Sequence, residues 1–403
     1  MPRWTSFDAF LTEARTAADS ATRQALVNEL LEDRSDWPWV NGQQASFIYT
    51  SAQEPSSVAL NLDTIRADPP FAAFERLAGT NLWYLTRQFQ EDDILDYLLA
   101  IDDPMTPLAQ EKDIAGRVSK YWKPDPSNSL QMNASGQSVS VLRMDLARPY
   151  LDWTRLAEVP HGTIKEHPYD SVQLGFKGRK LWVYTPPGYE GSGESYPLLI
   201  FMDGQWATGP LQLPGIADAL IKHRRVRPMI IAMIQSGDPD QRAREYACND
   251  RHYLSLLLEV LPLVQSQYRV DASSLGLGGV ALGAAAAAHA TLQNPAVFNG
   301  LTLISPPLGK SGDGSAQVSQ LPERLVKARA LPDRIFQSVG RYEQKARFLK
   351  PARALATTLQ ARHDAGDTVY KFAEVGSGHG LVGFRSVLPE ALAWAFPGEN
   401  PIG

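Results

Sequence analysis

The run Leu277–Gly283, LGGVALG, places Gly279 two residues before Ala281 and Gly283 two residues after it. Glycines at that spacing let a strand turn sharply into a helix while the two pack closely, the geometry that lifts a nucleophilic side chain clear of both. The nucleophile of such a turn is a serine. Here the position holds alanine, which has neither a proton to give up nor a lone pair to attack with. Downstream, the strand-like RIFQSVG leads to a loop with Glu343, and TVYKFAEVG leads to GSGHG, which carries His379 on a glycine-rich loop. Nucleophile position, acid and histidine therefore arrive in the chain order of one kind of acyl-transfer site. Asp364 and Asp367 compete with Glu343 for the acid role, and Ser305 or Ser377 would be the substitute for the missing hydroxyl, though neither sits on such a turn.

Acyl transfer also needs donors for the oxyanion. One is the amide after the nucleophile, that of Leu282. A second is expected after the apolar run PLLIF, in FMDGQW, from Gly204 or Gln205. With a serine at 281, His379 would take the hydroxyl proton, the oxygen would attack an ester carbonyl, and the two amides would hold the charge. With alanine, only binding and the oxyanion donors remain. In serine hydrolases these leave about 10³–10⁴-fold over water, so the chain as written is expected to be nearly inactive. Such a site calls for no cofactor and no metal, and none is expected.

The elements that must position these groups alternate from about residue 151: apolar runs such as YPLLIFMDG, PMIIAMIQ and FNGLTLIS are separated by amphipathic helical stretches. Apolar strands alternating with helices imply a mostly parallel sheet covered on both faces, the doubly wound α/β-hydrolase class. Before it the texture differs. Residues 1–40 carry helical spacing that stops near Pro38. From Gln44 the short runs ASFIYTS, SSVALNLD, NLWYLTRQF and DYLLAID read as antiparallel strands. A small all-β domain is expected over 41–150, its tail from Asp103 reading as a loop-like linker, with the α/β domain over 151–403.

Composition narrows the function classes. The chain has 403 residues, 44% hydrophobic and 21% charged, enough for a sizeable core in two or three domains. A net charge of -5 argues against general nucleic-acid binding. Cys248 is the only cysteine, which excludes an internal disulfide. No stretch reaches the roughly 18–20 apolar residues of a membrane helix, and the N-terminus lacks the pattern of a signal peptide. A cytoplasmic, soluble protein is expected.

Four segments together resemble the enterochelin (enterobactin) esterases, or ferric-siderophore esterases. LLIFMDGQWA is similar to the family's strand and oxyanion loop. QRAREYACND matches an R-x-x-E-L-x-C-N segment through Arg242, Glu245, Cys248 and Asn249, with tyrosine for leucine. EVLPLVQSQYRV resembles the helix leading to the elbow strand, and GSGHG resembles G-G-H-D with glycine for aspartate. FERLAGTNLWYLTRQF and YLLAIDDP agree more loosely with the family's β-domain.

The resemblance implies an immunoglobulin-like β-domain joined to an α/β-hydrolase domain. Its members cleave the esters of tri-serine siderophores in the cytoplasm, often with Fe3+ still bound. It implies a nucleophile position at 281, a base at His379 and an acid at Glu343. Arg242 is then a contact for an anionic catecholate, its alternative an ion pair with Glu245, and Trp206 either lines the cleft or packs in the core. The partner expected is a small-molecule macrolactone ester. Retention of His379, both glycines and the oxyanion loop favours a Ser→Ala replacement in an otherwise complete site. The competing readings are a natural binder that lost its nucleophile and an esterase for a feruloyl or other acyl ester.

Overall fold

In the computed structural model, residues 3–401 are described apart from 63, 135–136, 149–152, 154–155 and 311–315. The chain forms two units, Met1–Arg148 with Gly376–Val382, and Pro149–Val375 with Gly383–Gly403.

The first unit opens with helices Phe7–Thr16 and Ser20–Asp33. The helical spacing before Pro38 is split because Asp19 accepts a hydrogen bond from the Thr22 amide and starts a second helix. Phe7, Phe10, Trp4, Trp37 and Trp39 pack into one aromatic cluster. Ten strands follow: β1 (Trp39–Asn41), β2 (Gln44–Thr50), β3 (Val58–Leu62), β4 (Phe71–Ala73), β5 (Glu75–Arg76), β6 (Leu82–Gln88), β7 (Ile94–Ile101), β8 (Trp122–Lys123), β9 (Gln131–Ala134) and β10 (Gln137–Arg143). They build two antiparallel sheets, β1-β2-β6-β5 and β4-β3-β7-β10-β9, with β8 also on β7. Phe47 of β2 meets Tyr97 of β7 edge-on at 5.1 Å between ring centroids, joining the two sheets.

The stretch after Asp103, loop-like in sequence, is tied into this unit. Asp103 is buried, and its carboxylate accepts from Arg117 Nε at 3.0 Å and Trp122 Nε1 at 3.0 Å. A buried carboxylate demands such partners, so helix Ile114–Tyr121 folds where the Pro-rich texture suggested a linker.

The second unit contains β11 (Thr163–Ser171), β12 (Phe176–Thr185), β13 (Tyr196–Met202), β14 (Ile230–Ile234), β15 (Val270–Val280), β16 (Gly300–Ile304), β17 (Arg334–Gly340) and β18 (Val369–Val375). Their order is β11-β12-β14-β13-β15-β16-β17-β18. Strand β12 runs antiparallel to both of its neighbours, β11 and β14, and every other pairing is parallel. This is the α/β-hydrolase arrangement that the alternating pattern implied, preceded by an all-β unit.

Small residues decide how closely the central layers approach. In β15, Gly276, Gly278 and Gly279 have no side chain, and helix Leu282–Gln293 buries the alanine run Ala284–Ala288. The helix leading to β15 runs as Asp250–Ser255, a wider π turn over Leu256–Val260, and Leu261–Gln267. Pro262 follows that turn; its missing N–H and its ring both disfavour a regular α-helical turn there.

Candidate active site

β15 ends at Ala281 with φ 50 and ψ −123, and helix Leu282–Gln293 begins at the next residue. A residue bearing a β-carbon rarely holds that conformation, which costs on the order of 1–3 kcal/mol. The turn is pinned on both sides. The Ala281 amide donates to the Ile304 carbonyl at 2.8 Å, and the Ala281 carbonyl accepts from the Ala284 amide at 3.1 Å. Leu282 therefore stands ahead of the first amide that bonds back into its helix.

The two flanking glycines are needed for contact. A β-carbon on Gly279 would lie 2.6 Å from the backbone carbon of Gly283, and one on Gly283 would lie 2.9 Å from both Met202 Cβ and Asp203 Oδ2.

The neighbouring strand β13 ends in a second strained turn. Asp203 is left-handed, φ 59 and ψ 55, and the short helix Gly204–Thr208 follows. The Asp203 carbonyl accepts from the amides of Trp206 at 2.8 Å and Ala207 at 3.0 Å, so Gly204 and Gln205 also precede the first internally bonded amide. Gly204 is held tightly: a β-carbon there would lie 2.6 Å from the Met233 carbonyl oxygen. The Gln205 side chain donates to Ser236 Oγ at 2.6 Å and accepts from the Ser236 amide at 3.2 Å, fixing the turn to the loop after β14.

Helix Pro239–Tyr246 supplies Arg242 and Tyr246. Arg242 donates from Nε to Asp203 Oδ1 and from Nη2 to Asp203 Oδ2, both at 2.7 Å. Its guanidinium lies 4.8 Å from the Trp206 ring centroid and 5.3 Å from that of Tyr246. Burial draws the Arg242 pKa down, but the hydrogen bonds and charge of Asp203 outweigh it and leave it raised. The Glu245 pairing considered for Arg242 is not formed: Glu245 is held by Arg179 at 2.6 and 2.7 Å. Trp206 is half-buried and stacks on Arg242.

Glu343, in the loop after β17, is buried. Its Oε1 accepts from Ser305 Oγ and from the Gly340 amide, each at 2.6 Å. Ser305, at the end of β16, is itself left-handed at φ 49 and buried. Asp364 and Asp367 are exposed and engaged elsewhere, with Gln360 at 2.9 Å and Arg362 at 2.8 Å. Of the three acids, Glu343 is the one that is buried and held by fixed donors.

The chain leaves β18 at Val375, and the segment Gly376–Val382 belongs to the first unit. There Gly376 bridges Asp93 in parallel fashion, and its carbonyl accepts from the Ile94 amide at 2.8 Å. His379 is exposed on this segment, and Ser377 Oγ is buried without a hydrogen-bond partner among the described residues. The structure thus brings Ala281, Leu282, Gly204, Gln205, Trp206 and Arg242 onto two adjacent strand ends and one helix. Glu343 stands at the end of a third strand, and His379 on the segment assigned to the other unit.

Two participants carried no assigned role in the sequence. Asp203 stands in FMDGQW beside the expected donors without a role of its own, and Ser305 enters only as a spare hydroxyl; their pairing with Arg242 and Glu343 crosses too much sequence for spacing to reveal. Among the described residues, no cluster of three His, Cys, Asp or Glu side chains could hold a metal ion. Nor, among them, is any helix long and apolar enough to cross a membrane.

Residues 176–395 match the Esterase family model, described as "Putative esterase". The Iron(III) enterobactin esterase of Escherichia coli K12 is 24% identical over 336 residues, covering 79% of this chain and 80% of that protein. The fold is similar to that of the ferric enterobactin esterase of Salmonella typhimurium, with TM-score 0.73 and 19% identity over 91% of this chain and 98% of the other. It is also similar to the Shigella flexneri enterobactin esterase crystallised in the presence of enterobactin, with TM-score 0.72 and 22% identity over 91% and 97% of the two chains. This chain belongs to the esterase family, the carboxylic ester hydrolases, and carries its site on the two-part fold of the enterobactin esterases.

Proposed function

We propose that this protein is an ester-hydrolase scaffold of the enterobactin-esterase type, disarmed at position 281, that binds a siderophore-like macrolactone ester in the cytoplasm and does not cleave it. The observation that carries this reading is the conformation of Ala281. A residue with no chemistry of its own occupies a strained turn, φ 50 and ψ −123, between two glycines that cannot accept a β-carbon without displacement. Nothing in alanine requires that backbone; a serine nucleophile does.

In the armed form the roles follow from chemistry. His379 takes the serine proton, and the alkoxide adds to the ester carbonyl. The amides of Leu282 and of Gly204 or Gln205 then receive the oxyanion. His379 returns its proton to the leaving alcohol, and water releases the acyl group by the same steps in reverse. Glu343 holds the imidazolium that forms. Chemistry of this kind uses no cofactor; Fe3+, where present, is the ligand's cargo.

The test compares the chain as given with Ala281→Ser, each incubated with enterobactin and its ferric complex, products being followed by mass spectrometry. The given chain binds without turnover, and Ala281→Ser raises cleavage by at least about 10³-fold, within the span that nucleophile removal costs a serine hydrolase. Binding by both forms without cleavage by either marks a binder whose whole site has drifted. Cleavage of feruloyl esters but not of the trilactone would move the assignment to another acyl ester.

A further inference from the structure

The ester-hydrolase reading sends Arg242 toward an anionic substrate, yet the guanidinium is already committed. Its Nε/Nη2 edge closes on both oxygens of Asp203, and the Trp206 and Tyr246 rings flank it. The Asp203 side chain is fully buried and that of Arg242 is 17% exposed.

What matters is where this carboxylate sits. Asp203 immediately precedes Gly204 and Gln205, the donors on one side of the expected oxyanion hole. Its Oδ2 would stand 2.9 Å from a β-carbon on Gly283, the residue after Leu282, the donor on the other side. A bare negative charge buried there would oppose the negative charge that develops on the ester oxygen, in a medium that screens it poorly.

Resting on the ester-hydrolase reading, we infer that Arg242 is a positioning residue of the oxyanion hole: by neutralising Asp203 and fixing its left-handed turn, it lets the flanking amides accept an oxyanion. Arg242 acts through Asp203 and does not select the substrate by its charge.

The titratable groups facing Asp203 are few. Helix Pro239–Tyr246 presents Arg242 and Tyr246, and burial followed by the charge of Asp203 keeps the Tyr246 hydroxyl neutral across the working range. Strand β13 and the first turn of helix Leu282–Gln293 present Met202 and Gly283, neither of which titrates. Without Arg242, Asp203 would be a buried acid lacking its cation, so its carboxyl would ionise at higher pH. The oxyanion hole would then fail progressively as pH rises.

The experiment uses Ala281→Ser protein and p-nitrophenyl acetate, a neutral ester offering no anion for Arg242 to hold. Adding Arg242→Gln should lower kcat about 10²-fold at pH 8 with little change in KM, as loss of an oxyanion donor does. The deficit should shrink towards pH 5, and Asp203→Asn on top of Arg242→Gln should recover most of the rate and remove the alkaline fall. An unchanged kcat on the neutral ester, with KM raised only for an anionic catechol ester, overturns the inference and returns Arg242 to substrate binding. A deficit independent of pH and not relieved by Asp203→Asn also overturns it, leaving a purely structural pair.

If Ala281→Ser cleaves no ester, the ester-hydrolase reading fails, and the inference is read instead from the rate at which a fluorophosphonate labels the introduced serine, which needs the same oxyanion hole. The same loss with Arg242→Gln and recovery with Asp203→Asn sustain it. Equal rates across these variants, or no labelling at all, sink it.

Discussion

Ser305 gives its hydroxyl to Oε1 of Glu343 at 2.6 Å, and the Gly340 amide gives a second hydrogen bond to the same oxygen at 2.6 Å. Three successive parallel strands thus end in functional candidates: β15 at Ala281, β16 at Ser305 and β17 just before Glu343. A hydroxyl spent on a buried carboxylate is a poor substitute nucleophile. Its place is behind the acid.

That arrangement predicts a separation of effects. Ser305→Ala withdraws one donor from a buried carboxylate and should destabilise the fold by about 2 kcal/mol, the range for hydrogen bonds to charged groups, measured by urea unfolding. In the Ala281→Ser background, Glu343→Gln should lower kcat by about 10³–10⁴-fold, as loss of a triad acid does. Turnover equal to the parent would remove Glu343 from the acid role.

The strain at Ala281 is open to a direct measurement. Ala281→Gly relieves a cost on the order of 1–3 kcal/mol and returns about 0.4–1 kcal/mol to the unfolded chain as entropy. The net expectation is a fold more stable by about 1 kcal/mol in urea or thermal unfolding. A less stable glycine variant would mean that the turn is not strained.

Gly279→Ala should act in the opposite direction. Its β-carbon would meet backbone 2.6 Å away, at Gly283, where no side chain can swing aside. Overpacking of this kind costs about 1–3 kcal/mol or more. Thermal unfolding should show that loss, and in the Ala281→Ser background the ester hydrolysis rate should fall with it as the elbow shifts.

Acid stability should be governed by two buried histidines. Burial, then the charges of His289 and Arg179, lowers the His252 pKa to about 3. Burial and the Arg324 charge also lower that of His289. Arg324 can only donate, so His289 Nδ1 accepts from it at 2.8 Å and Nε2–H donates to Asp250 at 2.9 Å, a neutral ring. The unfolded chain takes up these protons near pH 6.5, whereas the folded chain takes up that of His289 lower and that of His252 only near 3. Stability is therefore full above about pH 6.5 and is lost as pH falls from there towards 3. For His252 the loss by pH 4 is on the order of 3 kcal/mol at 1.36 kcal/mol per pH unit. Urea midpoints between pH 7 and 4 should show it, and His252→Leu should flatten the curve; an unchanged slope would mean that His252 charges inside the fold.

The parts of this molecule that were legible in sequence are those specified locally. Continuous apolar runs such as PLLIF and PMIIAMI announce buried parallel strands because such strands face helices on both sides. The glycines around Ala281 and the alanines after it announce a close turn because each acts on its immediate neighbours. What stayed hidden depends on partners remote in sequence. The stretch after Asp103 looked like a linker because the pull of one buried carboxylate on Arg117 and Trp122 has no periodicity. Arg242 looked like a ligand contact or a partner for Glu245, one helical turn away, whereas its carboxylate lies at the end of β13. The wide turn at Leu256–Val260 was hidden for a different reason: an apolar helix of that length reads as continuous unless the proline inside it is weighed.

Gly376–Val382 leaves the last strand of the hydrolase sheet and lies against Asp93 and Ile94 in the first unit. A chain emerging from the ribosome folds its early domains first, but here the early unit lacks one of its own pieces until almost everything else has been made. Only Gly383–Gly403 of the second unit follows that piece. The same piece carries His379, so translation cut short before that segment yields a first unit without its final contacts and a chain without His379. Synthesis itself thus withholds the proposed base until the rest of the site has been made.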